Sequence, residues 1–172
     1  MAIDVGPPAT DQASSGDSYT IINATNPANA TGTIDHIEIY GAALDATGDQ
    51  VGSYFLVSGT SFTSRGNTDV DLPIATGLNE YDAPGDFAAF AINITDYIGF
   101  HQGEDDTIDR DIGAPSGDGC WYKTGDYCPC TNEAFEYYDA DYSVSATGIE
   151  LGGVAPTGVF CGPLVGSLGG PI

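Results

Sequence analysis

The chain opens on an alternating pattern. Met1, Ile3, Val5 and Pro7 fall on one face, and Ala2, Asp4 and Gly6 on the other. This is the period of a short strand with one apolar edge. Pro7-Pro8 stops it, and Ala9 to Asp17 reads as a polar linker. A terminal strand set off in this way must find an edge, either in its own sheet or in a neighbouring copy. Further strands are predicted at Ser18 to Asn23, Gly32 to Gly41 and Val51 to Ser58, with a turn at Asn26-Pro27-Ala28-Asn29. In the second of these, Ile37 and Ile39 face one way, and His36, Glu38 and Tyr40 the other. Val51 to Ser58 is the most apolar and is expected at the centre of a sheet. Ser61 to Arg65 and Thr68 to Leu72 read as a hairpin around Gly66-Asn67. Asp86 to Asn93, Tyr97 to His101, Thr107 to Ile112, Cys120 to Lys123 and Tyr142 to Ala146 complete the series, and Glu133 to Tyr138 is the one candidate helix. Short strands punctuated by turn signals predict a sandwich or barrel.

Composition agrees. Gly 24, Pro 10 and Tyr 10 in 172 residues, with Ile and Val well above Leu, exclude a helical bundle, and no heptad pattern supports a coiled coil. After Gly148 the sequence turns Gly- and Pro-rich. The expected organisation is an N-terminal strand and linker (1–12), an all-β antiparallel sandwich (13–148) and an extended tail (149–172).

Charge narrows the partners. Three basic against 25 acidic residues give −22. Nucleic acid and anionic lipid surfaces are excluded as partners, since both are held by Lys/Arg clusters. Like copies repel at low salt, so self-association needs apolar contacts, cations or salt. No apolar run reaches transmembrane length. Met1-Ala2-Ile3-Asp4 has neither the basic nor the apolar region of a secretory signal; a trimmed chain, another export route or release by lysis each fits.

Cys120, Cys128, Cys130 and Cys161 are even in number. Pairing Cys128 with Cys130 would close a very tight ring across Pro129. Cys161 is therefore expected to pair with one of those two and Cys120 with the other, which implies an oxidising, extracellular setting. C-x7-C-x-C lacks the knuckle spacing of a zinc site.

Catalytic chemistry finds few groups to use. There is no nucleophile elbow, P-loop or dinucleotide fingerprint, and His36 and His101 are the two histidines. The expectation is a non-enzyme without a cofactor. The acidic run from Glu104 to Asp111 makes Asp105, Asp109 and Asp111 calcium candidates, although its spacing is not that of an EF-hand. Asn23, Asn29 and Asn93 begin glycosylation sequons. Trp121-Tyr122, Tyr127 and Tyr137-Tyr138 offer aromatic faces either to sugar rings or to core packing against a disulfide.

Taken together, Met1 to Gly6 with Ala9-Thr10-Asp11, Asn26 to Asn29, Gly32-Thr33-Ile34, Ile37 to Tyr40, Asp96 to Phe100, Asp109-Arg110-Asp111 and Trp121-Tyr122 before Gly125-Asp126 resemble a family of small acidic β-sandwich proteins known mainly from environmental sequence. The chain also resembles filament subunits of immunoglobulin-like or jelly-roll-like fold assembled by donor-strand exchange, as in pilus-like fibres. That resemblance implies an extracellular or cell-surface homopolymer, with Met1, Ile3 and Val5 as the donor face. The alternatives are a viral or phage tail-fibre or decoration protein, and a calcium-dependent carbohydrate-binding module.

Overall fold

The structure, a computed structural model, describes residues 2–15, 18–43, 49–70, 74–103, 108–112 and 119–152. These form strands and turns with no helix, and none of their segments is a helix long and apolar enough to cross a membrane. In chain order the strands are β1 (Ala2–Val5), β2 (Ser14–Ser15), β3 (Tyr19–Asn23), β4 (Gly32–Gly41), β5 (Asp49–Ser58), β6 (Ser61–Val70), β7 (Gly77–Asp82) and β8 (Phe90–Ile92). They continue with β9 (Tyr97–His101), β10 (Asp109–Ile112), β11 (Cys120–Thr124), β12 (Glu133–Ala134), β13 (Glu136–Tyr138), β14 (Ala140–Tyr142) and β15 (Val144–Glu150).

All pairings are antiparallel. One sheet runs β1-β15-β4-β7, with β8 pairing a further stretch of β4; a larger one runs β12-β6-β5-β9-β3-β11-β13; β14-β10-β2 forms a small third sheet. The first two pack face to face. Ile3, Val5, Ile34, Ile37, Ile39, Val144 and Ala146 from the first meet Ile21, Val51, Ile98, Phe100 and Cys120 from the second in one buried cluster. Alternation explains the choice of residues, because a half-buried strand sends every second side chain inward.

The seven-stranded sheet is apolar on its other face as well. Ile22, Tyr54 and Phe62 are buried there with Cys128, Cys130 and Phe135, and Trp121 and Tyr97 pack against them. Phe62 is the hub, its ring centroid lying 4.8 Å from Trp121, 5.8 Å from Phe135 and 6.0 Å from Tyr97. This face is the inside of a nearly closed barrel, since the sheet curls until Phe62 of β6 meets Trp121 of β11 across three intervening strands, and the segment from Gly125 to Phe135 completes it. The segment is tied down where Tyr127 N donates to Thr20 Oγ1 (2.8 Å) and Cys130 N donates to Ser64 Oγ (3.0 Å).

This arrangement corrects the disulfide expectation. Cys120, Cys128 and Cys130 are all buried free thiols. Cys120 belongs to the core between the sheets, and Cys128 and Cys130 to the core on the far side of the larger sheet. A backbone layer separates Cys120 from the other two, so they cannot bridge without moving it. Cys161 lies outside the described residues. Burial pushes the Cys120 and Cys128 thiols up to about 12.

Two further expectations change. Ser61 to Val70 is one continuous strand rather than a hairpin; the turn sits at Gly59-Thr60, where Gly59 adopts φ +58°. Gly66 serves close approach instead. A Cβ there would lie 3.1 Å from Ala91 N and from Phe90 Cβ. Beside it the register slips, so that Ser53 faces Gly66 while Tyr54 faces Ser64, leaving Arg65 as the extra residue. The bulge turns Arg65 toward Asp96, whose two carboxylate oxygens accept from Nε and Nη2. The candidate helix Glu133 to Tyr138 is instead β12 and β13 on opposite edges of the seven-stranded sheet, with Phe135 inserted between them into the core. Burying that one ring outweighs the helical propensity of six residues.

The thiol arrangement is directly checkable. In a Cys161→Ser chain, a thiol-reactive probe at pH 8 is expected to label no cysteine in the folded protein and three after urea unfolding. Labelling of Cys120 or Cys128 before unfolding would contradict the two-core packing.

Candidate assembly site

The N-terminal strand lies within its own chain. β1 pairs β15, with Ala2 opposite Ile149, Ile3 opposite Gly148, Asp4 opposite Thr147 and Val5 opposite Ala146. Ile3 and Val5 are completely buried, while Ala2 and Asp4 are exposed. The alternation read from the sequence therefore sets which face enters the core. Met1, the first donor-face candidate, lies outside the described residues.

The other side of β1 is also occupied. Asp4 N donates to Asn29 Oδ1 (3.1 Å), and Asn29 Nδ2 donates to Ala2 O (3.4 Å). One turn earlier, Gly6 N donates to Asn26 O (2.8 Å), and Asn26 Nδ2 donates back to Gly6 O (3.1 Å). Asn26 takes φ 49°, the left-handed conformation that asparagine tolerates better than most residues. The Asn26-Pro27-Ala28-Asn29 turn thus acts as a clip, imitating a neighbouring strand with side-chain amides. Because the outward backbone groups of Ala2 and Asp4 go to Asn29, the Asp4–Thr147 pair is a non-hydrogen-bonded pair on the β15 side.

Two glycines make room in this groove. At Gly32 a Cβ would fall 2.7 Å from Ile3 Cδ1 and 2.1 Å from Ile149 O. Gly6, at φ +87°, lies so close to β9 and β15 that a Cβ would meet Val144 O at 2.5 Å and Ile98 Cγ2 at 2.7 Å. Gly32 therefore opens the pocket that Ile3 fills, and Gly6 lets the chain leave the groove at a sharp angle. Beyond Pro7-Pro8 the linker is fastened again. Ser143 Oγ donates to Thr10 O (2.7 Å), Gln12 N donates to Asp109 Oδ2 (3.1 Å), and β2 then pairs β10.

The remaining candidates disperse. Asp109 is buried with its carboxylate on Gln12 N, Asp111 is exposed opposite Asp141, and Asp105 lies outside the described residues. Asn23 is fully buried, its Nδ2 donating to Tyr142 O (3.2 Å) and Val144 O (3.3 Å), a placement closed to a glycan. Asn29 spends its amide on β1, and the Asn93 amide lies beside the Arg65 guanidinium, where the hydrogen-bond pattern assigns its oxygen to the guanidinium side. The aromatic run divides between the two faces of the large sheet. Trp121 packs in the Phe62 cluster, whereas Tyr122 and Tyr138 join Tyr19, Tyr142 and Arg110 around a cleft of about 200 Å³. His36 and His101 sit on different sheets, in β4 and β9. Comparison with protein-family models, curated proteins and solved structures found no match.

The Asn clip was the part of this site hardest to read from sequence, since Asn26 to Asn29 carries the same residues as any surface turn. Its one signal is a pair of asparagines three apart flanking proline and alanine.

Ile3→Ala is expected to lower stability by about 2–5 kcal/mol, the usual cost of truncating a buried isoleucine, and Asp4→Ala by less than about 0.5 kcal/mol. Urea unfolding of the two variants checks this; equal effects would show that β1 does not present alternate faces to the core.

Proposed function

We propose that this protein is the structural subunit of an extracellular filament, an immunoglobulin-like sandwich that polymerises by handing β1 to the groove of another copy. The observation that carries the reading is the groove itself. β1 is held along both sides by backbone-directed hydrogen bonds and buries its apolar face fully, yet it is joined to the domain only through residues 6–13. Its walls, β15 and the Asn clip, belong entirely to the rest of the chain.

In the single chain this strand completes its own fold, so exchange is a swap rather than a rescue. A swapped β1 makes every contact it makes in place, with Ile3 against Gly32 and Asp4 against Asn29, but from a neighbour. The hinge is the stretch between Gly6 and Ala9, upstream of the point where Ser143 fastens Thr10. Pro7-Pro8 stiffens that stretch and favours an extended path over a tight return. Each copy that gives its strand away needs one in exchange. Passing strands in one direction is a head-to-tail contact, which propagates as an open fibre when the rotation does not close. The main-chain ladder supplies affinity and the two side-chain pockets supply register.

The test places a cysteine at each of Asp4 and Thr147, directly opposite and exposed, in a Cys161→Ser background. Non-hydrogen-bonded antiparallel pairs sit close enough for a disulfide. Oxidised fibres are expected to run as a ladder of covalent multimers on a non-reducing gel. A single monomer band from protein that forms fibres by negative-stain electron microscopy would overturn strand exchange, and failure of the unmodified protein to form fibres under any salt condition would overturn the filament reading.

A further inference from the structure

On the outer face of the first sheet, β4 and β7 set four metal-binding side chains in a rectangle. His36 lies opposite Asp82, and two residues along Glu38 lies opposite Glu80. Like charges directly across an antiparallel pair are destabilising, and this pair stands in a chain of net charge −22. Next to it, β15 contributes Ser145, whose Oγ donates to Glu38 Oε2 (3.3 Å), and Thr147 opposite His36. No Lys or Arg among the described residues pairs with Glu38, Glu80 or Asp82 by a salt bridge; the imidazole is the partner of Glu38 and Asp82.

The imidazole is oriented. Its Nδ1 lies 2.8 Å from Asp82 Oδ1, while Nε2 points toward Glu38 Oε1 at 3.5 Å. A carboxylate on one ring nitrogen is the arrangement that fixes the tautomer of a metal-ligating histidine and presents the other nitrogen's lone pair. Two ligand atoms bonded to one tetrahedral zinc at about 2.0–2.1 Å stand roughly 3.3–3.4 Å apart, which is close to the Nε2–Oε1 separation. One donor atom each from His36, Glu38 and Glu80 lies within 4.8 Å of the others, and the exposed Glu80 carboxylate is free to close the remaining gap by side-chain rotation.

We propose that His36, Glu38 and Glu80 form a binding site for a divalent first-row transition metal of the zinc type, with Asp82 as the residue that orients His36. The imidazole decides the class of ion. Nitrogen and carboxylate together suit zinc and its neighbours, whereas calcium takes an all-oxygen shell. Three protein ligands leave the fourth position to water. Bound there, the ion bridges β4 to β7, converts the Glu38–Glu80 repulsion into attraction and staples the outermost strand of the sheet to its neighbour. This site lies apart from β1 and does not depend on the assembly reading.

The experiment titrates zinc chloride into the full chain. Calorimetry is read alongside imidazole nitrogen resonances, which separate His36 from His101 through the His36→Ala variant. One equivalent of zinc is expected to shift the His36 signals and leave those of His101 in place. His36→Ala and Glu80→Gln, both on the outer sheet face, are each expected to weaken binding at least tenfold with unchanged circular dichroism. Calcium at tenfold excess is expected not to displace zinc. Unmoved His36 resonances at one equivalent, wild-type affinity in His36→Ala, or displacement by calcium would each overturn the proposal.

Discussion

The constraint on which the molecule rests is that its seven-stranded sheet is apolar on both faces. Ile21 and Cys120 look one way while Ile22 and Trp121, their immediate neighbours in sequence, look the other. A sheet of this kind cannot leave either side to water, so it needs two covers. The first is the smaller sheet, with the isoleucines of β4 and the paired β1 and β15. The second is the sheet's own curl, which brings Phe62 of β6 against Trp121 of β11 and nearly closes it as a barrel, with the Gly125–Phe135 segment adding Cys128, Cys130 and Phe135. The cysteines are therefore consumed as small hydrophobes, a role in which a free thiol is among the most readily buried of side chains.

The same constraint explains why β1 matters. The smaller sheet must reach far enough to roof Ile21, Ile98 and Phe100, and β15 alone does not close its margin. Ile3 and Val5 add the missing row, in register with Gly148 and Ala146, two residues small enough to admit them. The Asn clip then covers what would otherwise be an open edge, a recurrent need at the border of any sheet. Packing, edge protection and the entry angle of the chain at Gly6 are thus settled within a few residues of one another.

Much of this was legible in advance wherever a strand is apolar on one face and polar on the other. Gly32 to Gly41 and Tyr97 to His101 coincide with β4 and β9, and Ile3 and Val5 alternate as expected. Reading failed where long-range packing overrode local signals. Gly66-Asn67 has the residues of a turn, but the glycine answers to β8 crossing close above it. Glu133 to Tyr138 has no strand periodicity because Phe135 is shared between two edges. β7 carries Leu78 and Glu80 on its exposed side and buries only Tyr81 fully, so its pattern is that of a loop. The even count of cysteines suggested bridges, yet nothing local indicates that one faces a different core from the other two. The His36–Glu38–Glu80 group is not legible in the sequence, because two of its members sit on β4 and the third arrives only through the register with β7.

Charge sets the terms on which such a fold can meet another copy of itself. The cations are held within the chain. Arg65 is committed to Asp96, Lys123 Nζ bonds Glu133 Oε2 at 2.6 Å and lies over the Tyr127 ring, and Arg110 Nη1 bonds the Tyr142 hydroxyl at 3.0 Å. With three cations against 25 acidic residues the net charge stays at −22, which repels like copies at low salt. Strand exchange is suited to that situation because it asks nothing new of the surface. The contacts that would hold a neighbour's β1 in the proposed exchange are those seen in the single chain, the buried Ile3 and Val5 and a backbone ladder, none of which carries charge. On that proposal, the two states would differ by the path of the Gly6–Ala9 hinge, the translational freedom lost on association and the repulsion between acidic surfaces. That last quantity is screened over about 10 Å at 0.1 M salt. If the proposed exchange operates, its contacts are those of the single chain, and the ionic medium sets the balance between one molecule and many.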